Sequence, residues 1–351
     1  MMRDLQISVH EFPFFRQRWL VAVLVIAVCL LPLIVQQVNA QELTYVSVRI
    51  NALAYGSHVG FFTAKAQGYY EDVGLNVEVL PGQGSGNVAA LVANRSNDFG
   101  YASSAAIIRN VSEDAPIISV ATIDATDADA VICHPDAGIE EPADLEGKVV
   151  LTAADAGVNI LFPAMMEAAG SSADAVQLTN VAAEAVVPSF LQKVGGAVCL
   201  LGGLDDKPAQ IRSEGGFEPS FIRYNDYIPV TVGYGLITHV DNLTERPEVV
   251  RNFVLATLQG YQFALENPDQ ALEDFLFYNG AEDAETIRPQ MEFTLSILTS
   301  KNNTDGRIGW HVEEDWQATL DVQVTYNELQ TDKTLEDFYT NEFIPESLTL
   351  E

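Results

Sequence analysis

Hydrophobic and polar positions switch between two periods along this chain. From Tyr45 to Ile50 they alternate, with Val46, Val48 and Ile50 on one face, which is the period of a strand. Val59, Phe62, Ala66 and Tyr69 then recur at roughly helical spacing, and Gly68 suits a helix end. Leu75, Val77 and Val79 alternate again. Residues 81–86 read as a Gly-rich loop, 87–94 as a helix and 98–102 as a short strand, after which Ser103 and Ser104 open another helix. A second run of the same kind starts near Ala130. Its strands are expected at 131–133, 148–152, 176–180, 196–201 and 221–224, with a helix over about 159–168. A last strand follows Val232, and the remainder is mostly helical. Its strongest helix, 248–266, has Pro247 at its start and Asn267-Pro268 after it. Strands alternating with helices over short connections predict parallel sheets covered by helices, an α/β fold.

The chain has 351 residues, enough for two domains with proper cores. Its 49 acidic and 18 basic side chains give a net charge of −31. That balance excludes nucleic acid, which needs basic grooves, and an anionic membrane surface as a docking partner. It suits a well-solvated acidic surface. The first 40 residues have a different pattern. Arg16 and Arg18 precede an uncharged apolar run over 19–35, and Val38-Asn39-Ala40 supplies small residues before a cut. This is the layout of a secretory signal peptide cleaved after Ala40, and it implies a periplasmic location. Cys29 does not read as a lipoprotein site, because Val28 stands where a small residue is expected. Beyond the leader only Cys133 and Cys199 remain, both in apolar runs. One bridge formed in an oxidising compartment and two buried thiols both fit.

Three junctions share a layout: Tyr55-Gly56-Ser57-His58 (just after Asn51), Gly84-Ser85-Gly86-Asn87, and Ser103-Ser104. Each follows a strand or loop and opens a helix. Plain capping explains any one of them. Together they also fit the carboxyl edge of a sheet, where free N–H groups, hydroxyls and amides gather around a ligand. The second unit offers facing edges at Thr152-Ala153-Ala154-Asp155 and at Gly202-Gly203-Leu204-Asp205-Asp206, so a small molecule held between two lobes is expected. His58 reads either as a hydrogen-bonded helix-start histidine or as a ligand contact. No cofactor or metal site is expected, since the histidines are scattered, and no nucleophile elbow, phosphate loop or zinc signature supports an enzyme.

In order along the chain, residues 58–70 (HVGFFTAKAQGYY), 74–78 (GLNVE), 97–102 (NDFGYA), 144–148 (DLEGK), 247–251 (PEVVR) and 266–268 (ENP) form a specific pattern. It resembles the substrate-binding proteins of ABC importers, in the branch that includes thiamine-pyrimidine, riboflavin, sulfonate, taurine and nitrate binders. Residues 338–345 (FYTNEFIP) resemble the tail of the pyrimidine branch. The resemblance covers about Leu43 to Pro345. It implies a type II bilobal fold, with lobe I over 41–126, lobe II over 127–231 and a return to lobe I over 232–351. The crossovers would fall near 122–130 and 228–236. The resemblance also implies that His58 faces the ligand, that Ser57 caps the helix and that Tyr55, Tyr101 and Tyr234 either stack on a ring or pack in the core. It further implies a monomer that binds a small heteroaromatic vitamin precursor and delivers it to a membrane permease driven by an ATPase. The branch also contains a pyrimidine synthase, whose iron-binding cysteine run has no counterpart over 228–234. Pyrimidine binders of the branch carry an acid just after the strand matching 196–201. This chain has Leu-Leu-Gly-Gly there, which leaves either Asp205 or Asp206 as the substitute in a shifted loop, or a different ligand, another heteroaromatic such as a flavin or a different small metabolite. An alkylsulfonate, taurine or nitrate is the alternative ligand, although no arginine stands at these junctions to clamp it. A membrane-tethered sensor, held by an uncleaved 19–35 segment, is the other class of function.

Overall fold

The computed structural model describes residues 42–349. The expected export segment and its cut lie outside the described residues. Among those described, no helix is long and apolar enough to cross a membrane.

Among the described residues, ten strands form in chain order. β1 is Thr44–Arg49, β2 Leu75–Leu80, β3 Phe99–Ser103, β4 Ile117–Thr122 and β5 Asp129–Cys133. β6 is Val149–Thr152, β7 Gln177–Asn180, β8 Cys199–Gly203, β9 Ser220–Arg223 and β10 Tyr234–His239. They make two five-stranded sheets of the same design, ordered β2-β1-β3-β10-β4 and β7-β6-β8-β5-β9. The expectation of parallel sheets needs correction. β10 runs antiparallel to both β3 and β4, and β5 runs antiparallel to both β8 and β9. The reason is topological. Each of these two strands follows a connection from the other sheet and enters at the edge where its parallel neighbours end.

The connections run through 123–128, between β4 and β5, and through 224–233, between β9 and β10. They lie side by side. The Asp127 amide donates to the Thr231 carbonyl at 2.8 Å, and the Gly233 amide to the Asp124 carbonyl at 2.9 Å. Two adjacent strands of this kind are the material of a hinge. β4 has no counterpart in the sequence reading. All six of its residues are buried, so it shows no alternation to read.

In the first lobe, Val46, Val48 and Ile50 are buried as the alternation requires, and the 20-residue helix Pro247–Glu266 covers that face together with Val59–Ala66. In the second lobe, helix Val158–Ala168 covers Val131, Val150 and Leu201. Cys133 and Cys199 are opposite each other in the β5–β8 ladder and form a disulfide, which decides between the two states left open by the sequence. The late helix Glu313–Tyr326 is not confined to the first lobe. Val322 packs into the second core, and the Asn327 side chain donates to the Ile160 carbonyl at 2.6 Å.

Candidate functional site

The carboxyl ends of the parallel strands and the starts of the antiparallel strands β5 and β10 meet around a cavity of about 100 Å³. The first lobe contributes Asn51, Tyr55, Gln83, Ser85 and Tyr234; the second contributes Asp129, Gly157, Val186, Leu201 and Asp205. A wider vestibule of about 600 Å³ adjoins it through Tyr55, Gln83, Asp206 and Lys207.

The turn at 56–58 builds one wall. The Tyr55 amide donates to His58 Nδ1 at 3.2 Å, so the ring proton sits on Nε2, which donates to Asn51 Oδ1 at 2.8 Å. Burial pushes the imidazole pKa down to about 3, and the ring stays neutral. It lies edge-on to Tyr55 at 4.4 Å and to Tyr101 at 5.3 Å. His58 is therefore fully buried behind the wall and does not face the cleft, contrary to the expectation. Its work is to fix Asn51 and the Tyr55 backbone from behind. Ser57 does not cap a helix either. Its hydroxyl donates across the cleft to Asp205 Oδ2 at 2.6 Å and accepts from Thr294 Oγ1 at 2.6 Å.

Tyr101 also sits one layer back. It stacks on Tyr234 at 5.1 Å, and its hydroxyl donates to Asp124 Oδ2 at 2.7 Å. Ser103 accepts from the Ala106 amide as the cap of helix Ser104–Ser112, and its own amide donates to Ser85 Oγ at 3.1 Å. Ser104 donates to the Val232 carbonyl in the second crossover. Thr152 is tied to Asn159 at 2.5 Å, inside its own lobe. Asn87 lies off the cavity on helix Ser85–Ala93, and the Asp155 side chain is exposed. Of the thirteen expected residues, the structure brings Asn51, Tyr55, Ser85, Asp205 and Tyr234 to the cavity surface. The others brace that surface or lie beside it.

The acids are arranged differently from the sequence reading. Asp206 is occupied by Lys207 and by Gln290 Nε2, the latter at 3.0 Å. Asp205 folds back toward Gly203, where a Cβ would stand 2.0 Å from Asp205 Oδ1, so a side chain there would have to displace the Asp205 carboxyl. Directly opposite Gly203 in the ladder stands Asp129, which the sequence reading passed over. Burial, reinforced by neighbouring carboxylates, raises the carboxyls of Asp124, Asp129 and Asp205 above the usual range. Lys207 is the one basic side chain among the described residues lining the cavity. The sequence does hold one signal for Asp129: a carboxylate opens an apolar strand immediately after a crossover.

Two mixed-sheet lobes, joined by paired crossovers around a cleft of tyrosines and acids, define the class as two-lobed solute-binding proteins. Residues 56–271, more than half of the chain, match the family model "NMT1/THI5 like", and the chain belongs to that family as an ABC-type substrate-binding protein. It is similar to the formylaminopyrimidine-binding protein of Halalkalibacterium halodurans, with 26% identity over 306 residues covering 86% of this chain and 91% of the relative. It is also similar to the riboflavin-binding protein RibY of Chloroflexus aurantiacus, with 22% identity over 88% of each chain. Among solved structures, the alkanesulfonate-binding protein SsuA of Xanthomonas axonopodis pv. citri, bound to MOPS, superposes with a TM-score of 0.66. It shares 12% identity, over 85% of this chain and 99% of that one, a likeness of fold alone.

Proposed function

We propose that this protein is the extracytoplasmic binding component of an ABC importer. It captures a small heteroaromatic vitamin precursor of the thiamine-pyrimidine kind and hands it to a membrane permease driven by an ATPase. The observation that carries the ligand class is the chemistry of the cleft. Tyr55 and Tyr234 offer ring surfaces, and Asp129 and Asp205 offer acceptors, while among the described residues no arginine lines the cavity. An aromatic ring rich in N–H donors gains from both. A sulfonate or nitrate would be desolvated against carboxyl groups and would meet one lysine already paired to Asp206. The 26% identical relative that binds formylaminopyrimidine supports the same choice. The disulfide between Cys133 and Cys199 supports export to an oxidising compartment, in line with the leader-like first 40 residues.

The test is thermal unfolding against hydroxymethyl- and formylamino-pyrimidines, thiamine, riboflavin, taurine, an alkylsulfonate and nitrate. A ligand at 100 times its Kd adds about 2.7 kcal/mol to stability. A rise in Tm with the pyrimidines is expected. A rise with the anions alone contradicts the assignment.

A further inference from the structure

The pocket acid expected after β8 is replaced by glycine, yet the space beside that glycine is not without a carboxyl. Asp129 is the first residue of β5 and the register partner of Gly203, so it projects from the neighbouring strand at the same level of the cleft. It is 93% buried (7% exposed) and lines the cavity, and among the described residues its carboxyl has neither a hydrogen-bond nor an ion-pair partner. This sets it apart from the other acids around it. Asp205 has Ser57, Asp206 has Lys207 and Gln290, Asp124 has Tyr101, and Asp127 has the Asp129 amide. A buried carboxyl left unmatched is costly, and such groups are rare unless something else satisfies them.

We infer that Asp129 is the residue by which this cleft reads its ligand, pairing with the amidine-like edge of an aminopyrimidine, where a ring nitrogen sits beside an exocyclic amino group. This rests on the heteroaromatic reading above and deepens it. The edge has one acceptor and one donor. A carboxyl holding one proton has one donor and one acceptor at matching spacing, so the two close a ring of two parallel hydrogen bonds. The pair needs a single proton, brought by either partner. Where Asp129 is ionised in the free protein and the ligand is neutral, binding takes one proton from solution.

The charged and titratable groups around Asp129 favour the protonated form of the pair. Asp127 and Asp124 both come from the first crossover, and Asp205 from the loop after β8. Tyr224 and Tyr234 belong to the second crossover and the start of β10. Lys207 is the one basic side chain among the described residues on the cavity wall, and its ammonium is committed to Asp206. Asp129 thus sits among acids and neutral phenols, and a protonated pair relieves the crowding of like charge.

The experiment is calorimetric titration of the wild type, Asp129→Ala and Asp129→Asn. The ligands are 4-amino-5-hydroxymethyl-2-methylpyrimidine and its analogue without the amino group, at pH 6 and pH 8, in two buffers of different ionisation enthalpy. The wild type should prefer the amino compound at both pH values and take up at least as many protons on binding at pH 8 as at pH 6. Asp129→Ala should lose about 10- to 100-fold for the amino compound and lose the preference. Asp129→Asn keeps one donor and one acceptor, so it should stay within about fivefold of wild type without proton uptake. That variant also shows that the site is intact. An unchanged preference in Asp129→Ala overturns the assignment to Asp129 and leaves the pyrimidine reading standing. Failure of the wild type to bind either pyrimidine overturns both.

Discussion

Ser57 of the first lobe donates its hydroxyl to Asp205 of the second at 2.6 Å, and the same oxygen accepts from Thr294 at 2.6 Å. The bond spans the cleft mouth, so it exists only while the lobes are together. Beside it, Gln290 of the first lobe holds both the carbonyl and the carboxyl of Asp206 at 3.1 and 3.0 Å. These contacts act as a latch. Ser57→Ala leaves the buried Asp205 oxygen without its donor and should weaken ligand binding by about 1–2 kcal/mol, roughly five- to thirtyfold in Kd. Calorimetric titration checks this. An unchanged Kd would mean that the latch does not contribute to the bound state.

Closure also depends on one glycine. Gly84 adopts φ +99°, and a Cβ placed there would stand 2.1 Å from the Asp155 carbonyl in the facing lobe. Gly84→Ala therefore combines a strained backbone with a clash across the cleft. Its expected effect is at least about a tenfold rise in Kd, with X-ray scattering showing no contraction when ligand is added. Contraction equal to that of the wild type would contradict it.

The disulfide joins β5 to β8 across 66 residues of chain. By chain-entropy arguments a loop of that length contributes about 4 kcal/mol. Unfolding in the presence of a reductant should lower Tm by roughly 6–10 °C relative to the oxidised protein. Equal melting temperatures would show that the link adds nothing to the folded lobe.

Stability should also respond to pH in two opposed ways. Asp124 is buried, with one oxygen on the Tyr101 hydroxyl and the other unpartnered, and its pKa is raised well above 3.8. The folded protein then holds a proton that the unfolded chain releases, so this contribution is lost as pH rises from 3.8 through the folded value. His58, held down to about 3 from 6.5, has the opposite sign: its contribution is lost as pH falls below 6.5 toward 3. Asp124→Asn keeps the acceptor for Tyr101 and cannot ionise. Its Tm should gain on the wild type between pH 5 and pH 8. A difference that does not vary with pH would contradict the assignment.

Much of this was legible along the chain because the signals were local. Alternation placed β1 and β2, and the Pro247 and Asn267-Pro268 boundaries placed the long helix. Small polar residues at strand ends pointed to Asn51, Tyr55 and Ser85, which the fold brings to one cavity with Asp205 and Tyr234. What was not legible depends on pairing between distant segments. β4 is buried throughout and carries no period. The antiparallel entry of β5 and β10 follows from the crossovers rather than from any residue pattern. His58 and Tyr101 looked like ligand contacts by type and position, but they share a buried aromatic layer whose depth only the packed structure defines. Asp129 gains its place from the strand opposite, 74 positions away at Gly203.

The central claim is that the cleft takes an aromatic, donor-bearing ring between its lobes, and a crystal structure with 4-amino-5-hydroxymethyl-2-methylpyrimidine tests it most directly. The account predicts the ring between Tyr55 and Tyr234, its amino edge on Asp129, and the Ser57–Asp205 contact in place. A pyrimidine ordered anywhere else, or a cleft that holds an oxyanion in its stead, would contradict it.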